Sequence, residues 1–279
     1  MSATPLDWDA ATYDRVADPQ EAWAREIIAR MRLRGDELVL DAGCGSGRVT
    51  RLLLEQLPRG GVIAVDGSPT MVARARETLG LAEGAGGASN TGGAQGGRVV
   101  AVECQDLLEL ELSQPVDAIF SCAVFHHIHD HERLFERLRG ALRPGGRLVA
   151  QCGGEGNIER FRVLSNEIAA EPPFGEYLRD MPAPWHYAGP AATEERLRRA
   201  GFTEVRCWLE PKPTVPADAR GFTESVLLNY HLNRLRAVAP PERAGELAEQ
   251  LLDRVLAAAG EPLELEYVRL NIEAGTAGL

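Results

Sequence analysis

The chain has a single lysine, Lys212, and every other basic residue is an arginine. That pattern reads as a compositional bias, not as a basic groove. Acids outnumber bases by 41 to 30, for a formal net charge of -11. Such a balance counts against a nucleic-acid backbone as the main partner. Long apolar runs are also missing. No uncharged stretch approaches the roughly 20 residues needed to cross a bilayer, so no membrane association is expected. At Met1-Ser2-Ala3-Thr4-Pro5 there is no basic segment followed by an apolar one, and no secretory signal is expected. Cysteines are few and scattered, at 44, 104, 122, 152 and 207. They read as small buried side chains in a reducing compartment, the cytoplasm, and not as a disulfide framework.

What the chain does have is an alternation of strand and helix patterns, the mark of an α/β fold with a sheet covered on both faces. Its 279 residues, 44% of them hydrophobic, suffice for one large α/β domain with an appendage or for two small domains. Helices are predicted at 20–33, Arg48–Leu57, Pro69 to about Leu79 and His131–Leu142. Strands are predicted at Leu38–Ala42, Val62–Val65, Arg98–Glu103, Val116–Ser121 and Arg147–Cys152. The segment 80–97 carries eight glycines and reads as a surface loop. After residue 152 the rhythm breaks. A helical piece (Ile158–Ala170), a proline-rich stretch and a cluster of aromatics occupy 153–190. A helix at Thr193–Ala200 leads into a strand, Phe202–Leu209; helical patterns follow at 219–238 and 241–259, and a last alternating strand at Leu263–Ile272. The expected plan is an N-terminal lid segment (1–19), a core (20–152), a substrate lid (153–190) and the rest of the core sheet with a helical excursion at 219–259.

The most telling motif is Asp41-Ala42-Gly43-Cys44-Gly45-Ser46-Gly47 at the end of the first strand. Glycines at alternate positions let the backbone approach a ligand and turn with positive φ. The order is not the G-x-G-x-x-G that sets a helix N-terminus on a pyrophosphate. An acid beside the glycines suits a nucleoside-bearing ligand with a cationic or amino part. Asp66 ends the second strand about 20 residues later, where an open α/β sheet places an acid to accept two ribose hydroxyls. Gly67, Ser68 and Met71 follow, with Met71 placed to pack on an adenine. Asp106 follows the third strand and can accept from an adenine amino group while Leu107 presents its backbone N–H. The fourth strand ends at Ser121 and leads into His126 and His127, the titratable candidates for catalysis at the sheet's crevice. Four histidines lie between 126 and 131, but no acid or cysteine cluster completes a ligand set, so no metal is expected. His129 and His131 read as solvated first-turn residues behind Asp130 as helix N-cap.

Four blocks, Val39–Gly47, Ala64–Pro69, Gln105-Asp106 and Leu142–Leu148, together resemble the class I S-adenosylmethionine-dependent methyltransferases. The resemblance implies a Rossmann-like, seven-stranded, mostly parallel sheet with helices on both faces and an antiparallel final hairpin. It implies S-adenosyl-L-methionine as cofactor, with Asp41 and the glycines Gly43, Gly45 and Gly47 at its methionine end, Asp66 at the ribose and Asp106 at the adenine. Trp8-Asp9 with Tyr13, the 153–190 insertion and Tyr267-Val268-Arg269-Leu270 are similar to the trans-aconitate methyltransferase group, which methylates small carboxylic acids. The chain departs from that group in carrying His126-His127 where members often have Gln-Trp.

The expected activity is methyl transfer to a small molecule, with release of S-adenosyl-L-homocysteine. A carboxylate acceptor would need orienting cations, for which Arg160, Arg162 or Arg179 are candidates, and no base. A phenol, hydroxyl or ring carbon of a natural-product scaffold would want a base, His126 or His127. The aromatics Tyr13, Phe174, Tyr177, Trp185, Tyr187 and Tyr230 suggest a pocket wall. A dinucleotide-dependent dehydrogenase and a cofactor-binding protein without catalysis are the rival readings.

Overall fold

The computed structural model describes residues 18–81 and 97–278. Tyr13, most of the N-terminal lid segment and most of the glycine-rich segment lie outside the described residues.

The chain opens with α1 (Asp18–Met31) and continues as β1 (Leu38–Ala42), α2 (Arg48–Glu55), β2 (Gly61–Asp66), α3 (Pro69–Thr78) and β3 (Arg98–Cys104). Then come β4 (Val116–Cys122), α4 (His131–Ala141), β5 (Leu142–Gly153), α5 (Glu159–Ala170), α6 (Gly175–Leu178), α7 (Pro190–Arg199) and β6 (Thr203–Pro211). The helical excursion holds α8 (Ala219–Phe222), α9 (Asn229–Val238) and α10 (Pro241–Ala259), and β7 (Val268–Gly275) closes the fold.

The sheet has seven strands in the order β3-β2-β1-β4-β5-β7-β6. The first five are parallel, while β7 runs antiparallel to both β5 and β6. Successive strand residues point to opposite faces, and the core divides accordingly. Leu40 and Ile63 pack with Leu134, Phe135 and Leu138 of α4 on one face. Val39, Val62 and Ala64 pack with Ile27 and Met31 of α1 and Leu53 of α2 on the other. Burial on both faces is why these strands read as continuous apolar runs. A third cluster, with Phe161, Phe174, Leu232 and Leu251, joins α5, α6 and the 219–259 excursion into a helical layer.

Several sequence expectations are corrected. β5 begins at Leu142 rather than Arg147, because Leu142 already pairs with Val116; the register then shifts across Pro144-Gly145-Gly146, where Gly145 turns at φ 76, before Arg147 pairs with Ala118. β7 begins at Val268 rather than Leu263, because Leu263 and Leu265 fill the helical layer. The single helix expected over 219–238 is broken by a π-helical turn at Thr223–Leu227. Thr223, Ser225 and Val226 supply branched and hydroxyl side chains that weaken regular α-helix at this point. Of the five cysteines, all free, Cys104 is exposed and Cys122 half-buried rather than fully buried.

A buried acid ties the base of the sheet together. The Glu37 carboxylate accepts from the backbone N–H groups of Arg34 and Gly35, at 2.9 Å each, and from Arg147 at 3.1 Å. Arg147 also donates to the carbonyl of Met31 at the end of α1. Burial alone would raise this carboxyl, but the hydrogen bonds outweigh it and hold the group at about 2. A depressed carboxyl stabilises the fold above its unfolded pKa and loses that contribution as pH falls through the folded one. Glu37→Gln is therefore expected to cost about 3 kcal/mol at pH 7. The difference from wild type should shrink between about pH 4.5 and pH 2, as measured by denaturant titration across that range.

Candidate active site

At the carboxyl end of β1 the chain turns through Gly43, Gly45 and Gly47, all with left-handed backbone, at φ 87, 54 and 81. The N–H groups of Gly43 and Cys44 both donate to the Val65 carbonyl, at 2.8 and 2.9 Å, and that of Gly47 donates to Cys44. The Gly45 N–H donates to Asp66 Oδ2 at 2.9 Å. With these four amides engaged inside the protein, the loop is not the open nest of N–H groups that cradles a phosphate. A Cβ on Gly43 would collide with Val124, whereas one on Gly45 would meet nothing within 4 Å. Gly45 thus marks the loop's open side.

Two carboxylates lie beside this loop. Asp66 accepts from Ser68 N–H as well as from Gly45, and the Ser68 hydroxyl caps α3 at Met71 N–H. Asp41 is fully buried and accepts from Thr50 Oγ1 at 2.7 Å. Burial pushes Asp41 up to about 7, against the Thr50 hydrogen bond and with help from the Asp66 charge. Burial also raises Asp66, against the backbone N–H groups that it accepts. Both acids are short of positive charge, the environment that a sulfonium or ammonium group would complete. Asp106 follows β3 and accepts from Leu108 N–H at 2.9 Å, while the Leu107 side chain is buried. Gly67 lies between Asp66 and Ser68 with open space for a ligand, a Cβ there meeting only the Gln105 carbonyl at 3.8 Å. Ser121 is buried and donates to the Ala42 carbonyl, pinning β4 to the start of the loop.

Beyond the loop, past Val124, is a pocket with a cavity volume of about 40 Å³. Ala123, His126 and His127 line it from the β4 side, Asn157 and Ile158 from the β5 side, and Trp185 and Tyr187 from the segment before α7. Ala123 and Ile158 are both non-glycine residues with positive φ, 62 and 44. Strain of this kind on two pocket walls is typical of functional sites. Val226 and Leu227 of the π-helical turn close one side, and such turns recur at functional sites.

Arg269 of β7 enters the same pocket. Its guanidinium stacks 4.5 Å from the Trp23 ring and donates through Nε to Gln151 Oε1 at 3.3 Å. The residue is only 2% exposed, and its Nη2 is buried without a hydrogen-bond partner among the described residues. An unpaired buried cation is costly and points to a missing anion.

His126 and His127 are electrically neutral at ordinary pH. Burial, with the neighbouring His127, Arg269 and His131 charges, drives His126 well below its ordinary value. Burial and then Arg269 lower His127 to about 4. The Gly153 N–H points at His126 Nδ1, at 3.3 Å, so the neutral ring carries its proton on Nε2 and is a donor there. His127 Nδ1 shares a 2.9 Å hydrogen bond with the Tyr230 hydroxyl, which burial raises to about 12 and keeps protonated.

Three readings change here. His131 is buried, with Nε2 bonded to the Phe125 carbonyl, rather than solvated; it faces inward because α4 packs its first turn under the β4 loop. Phe174 and Tyr177 belong to the helical layer and not to the pocket. Arg160 and Arg179 are exposed, and Arg162 stacks over Tyr187 outside the pocket lining. The arginine that sequence reasoning missed is Arg269. An antiparallel last strand starts at the crevice, so an arginine among its first residues was the available signal.

A methyltransferase-domain family model matches residues 40–150. A trans-aconitate 2-methyltransferase of Methylobacterium nodulans is 33% identical over 204 residues, covering 73% of this chain and 67% of that protein. One from Methylobacterium radiotolerans is 30% identical over 245 residues, 86% of each. The chain belongs to the trans-aconitate methyltransferase group of class I S-adenosylmethionine-dependent methyltransferases. This methyltransferase shares its fold with YcgJ of Bacillus subtilis, at TM-score 0.57, 15% identity and coverage of 92% of this chain and 98% of that one. It is also similar to Haemonchus contortus phosphoethanolamine N-methyltransferase 2 bound to S-adenosylhomocysteine, at TM-score 0.56, 20% identity and coverage of 97% and 57%. The protein is an enzyme, and S-adenosylmethionine is its cofactor. Among the described residues no helix is long and apolar enough to cross a membrane, and no group of three metal-ligating side chains forms.

Asp66→Ala is expected to weaken S-adenosylmethionine binding by on the order of 100-fold, read by titration calorimetry. Because Asp41 sits at about 7, binding a cation beside it lowers its pKa and expels a proton. Calorimetry near pH 7 in buffers of different ionisation enthalpy is expected to show that proton in wild type and not in Asp41→Asn.

Proposed function

We propose that this methyltransferase esterifies a carboxylate of a small carboxylic acid. The single observation that carries the reading is Arg269, a buried guanidinium with a free Nη2 facing a pocket beside the glycine loop. The names of the relatives, trans-aconitate 2-methyltransferases, support the same class of acceptor.

The cofactor, when bound, supplies a methyl group on a sulfonium. In the proposed arrangement Asp66 takes the ribose hydroxyls, with Gly67, Ser68 and Met71 along the adenosine. Asp41 and the glycines at 43, 45 and 47 hold the methionine end, and Asp106 with Leu107 takes the adenine. Ser121 supports the loop from below. Arg269 pairs with the acceptor's carboxylate and aims one oxygen at the methyl, while His126 Nε2–H donates to the acid. Trp185 and Tyr187 wall the pocket and exclude water, and Tyr230, outside the lining, backs His127 and Trp185. One carboxylate lone pair forms the new O–C bond as the S–C bond breaks with its electrons going to sulfur. The products are a methyl ester and S-adenosylhomocysteine. No proton is removed, so His126 and His127 orient the acid and do not act as bases. The free cysteines support a reducing compartment such as the cytoplasm.

The test is transfer of labelled methyl to trans-aconitate, with the ester identified by mass spectrometry. Arg269→Gln is expected to lower kcat/KM by on the order of 100-fold while cofactor affinity holds. At saturating cofactor the wild-type kcat is expected to be flat between about pH 6.5 and 9, since both histidines stay neutral and the acid stays ionised there. A kcat that climbs through pH 7 would assign a base instead.

A further inference from the structure

Arg269 is held in place without being neutralised, and a pair of buried amides does both. Gln151 and Asn271 face each other across the β5–β7 pairing, and both are fully buried. Gln151 Oε1 accepts from Arg269 Nε, and Gln151 Nε2 donates to Asn271 Oδ1 at 2.8 Å. Asn271 also takes a hydrogen bond from Arg30 and gives one to Glu210 Oε2 at 3.1 Å. Two acids, Glu210 and Glu273, stand at this far end of the row. Glu210 pairs with Lys212 at 3.1 Å, and Glu273 lies 3.8 Å from Arg30. The row therefore runs from a set of paired charges, through two neutral amides, to one cation that no described acid pairs. No ion pair reaches Arg269 among the described residues, although a carboxylate at position 151 would sit within bonding distance of its Nε.

We infer that Gln151 is a positioning residue that fixes Arg269 by a neutral acceptor and so keeps its charge available for the acceptor's carboxylate. The inference rests on the proposed carboxylate acceptor. A glutamate here has the same shape as glutamine but brings the counter-ion that the substrate is meant to be. It would satisfy Arg269 internally and make an arriving carboxylate compete with a tethered one. Asn271 does for Gln151 what Gln151 does for Arg269. It orients the amide so that oxygen, not nitrogen, faces the guanidinium.

The experiment compares Gln151→Glu with Gln151→Met, using trans-aconitate as the acceptor probe and reading KM, kcat, S-adenosylmethionine affinity and Tm. Q151E is expected to raise the acceptor KM by about tenfold or more, with cofactor affinity unchanged. Q151M, uncharged and of similar length, is expected to raise KM by less than about threefold. A purely structural role would reverse or level that ranking, so a Met variant as impaired as the Glu variant overturns the inference, as does a Q151E with wild-type KM. Should Q151E not fold, Asn271→Asp places the same charge one side chain further from Arg269. It is expected to raise KM by about threefold, and an unchanged KM there overturns the inference too. A wild-type enzyme that transfers methyl to no carboxylate removes the acceptor assignment and this inference together. A wild type that esterifies trans-aconitate while the charged variants match it removes this inference alone.

Discussion

The antiparallel pairing of β7 with β5 is the constraint on which the proposed acceptor pocket depends. Parallel strands all deliver their carboxyl ends to one edge, so β1, β2 and β4 bring the glycine loop, Asp66 and the histidine turn there. A strand that runs the other way delivers its beginning to the same edge. Arg269 pairs with Gly153 in that register, and Asn271 with Gln151. A one-residue slip would turn Arg269 to the opposite face of the sheet and bring its apolar neighbour Leu270 into the pocket.

The two halves of the site are electrically opposite. Around the glycine loop the protein holds buried carboxylates, Asp41 and Asp66, both raised by lack of compensation. Across the histidine turn it holds a buried guanidinium and neutral rings kept neutral by burial and by that same charge. An acceptor anion and a donor cation brought together between these halves would compensate both. Each half alone leaves buried charge uncompensated, and binding in the proposed arrangement would relieve it. The close approach that transfer needs is thus favoured by the charge layout itself.

The elements of the proposed cofactor half were legible in the sequence because they are local. Asp41 and the three glycines lie within seven residues, β1 was located at its observed bounds, Asp66 ends β2 and Asp106 comes two residues after β3. The acceptor half is assembled from Trp23, the 123–127 turn, 157–158, 185–187, the π-helical turn and Arg269. These are far apart in the chain, and no spacing rule links them. Arg162 was a candidate because it sits on the inserted segment, yet it packs over the back of Tyr187. Arg269 was hidden in an alternating apolar strand, where an arginine reads as solvent-facing unless the topology is known. His131 illustrates the same limit: its place in the first turn of α4 was read correctly, but which way that turn faces is a tertiary matter.

Trp23 is described above as the platform under Arg269. An indole in that position is also an optical reporter wired to the binding event. Its π-face senses the guanidinium at 4.5 Å, and the field at the ring changes when the cation gains a partner. Trp23 lies on α1 and lines the pocket together with Trp185, so in the proposed arrangement an acceptor bound at Arg269 would change the indole emission. Binding would then be read with no dye to attach and no turnover required.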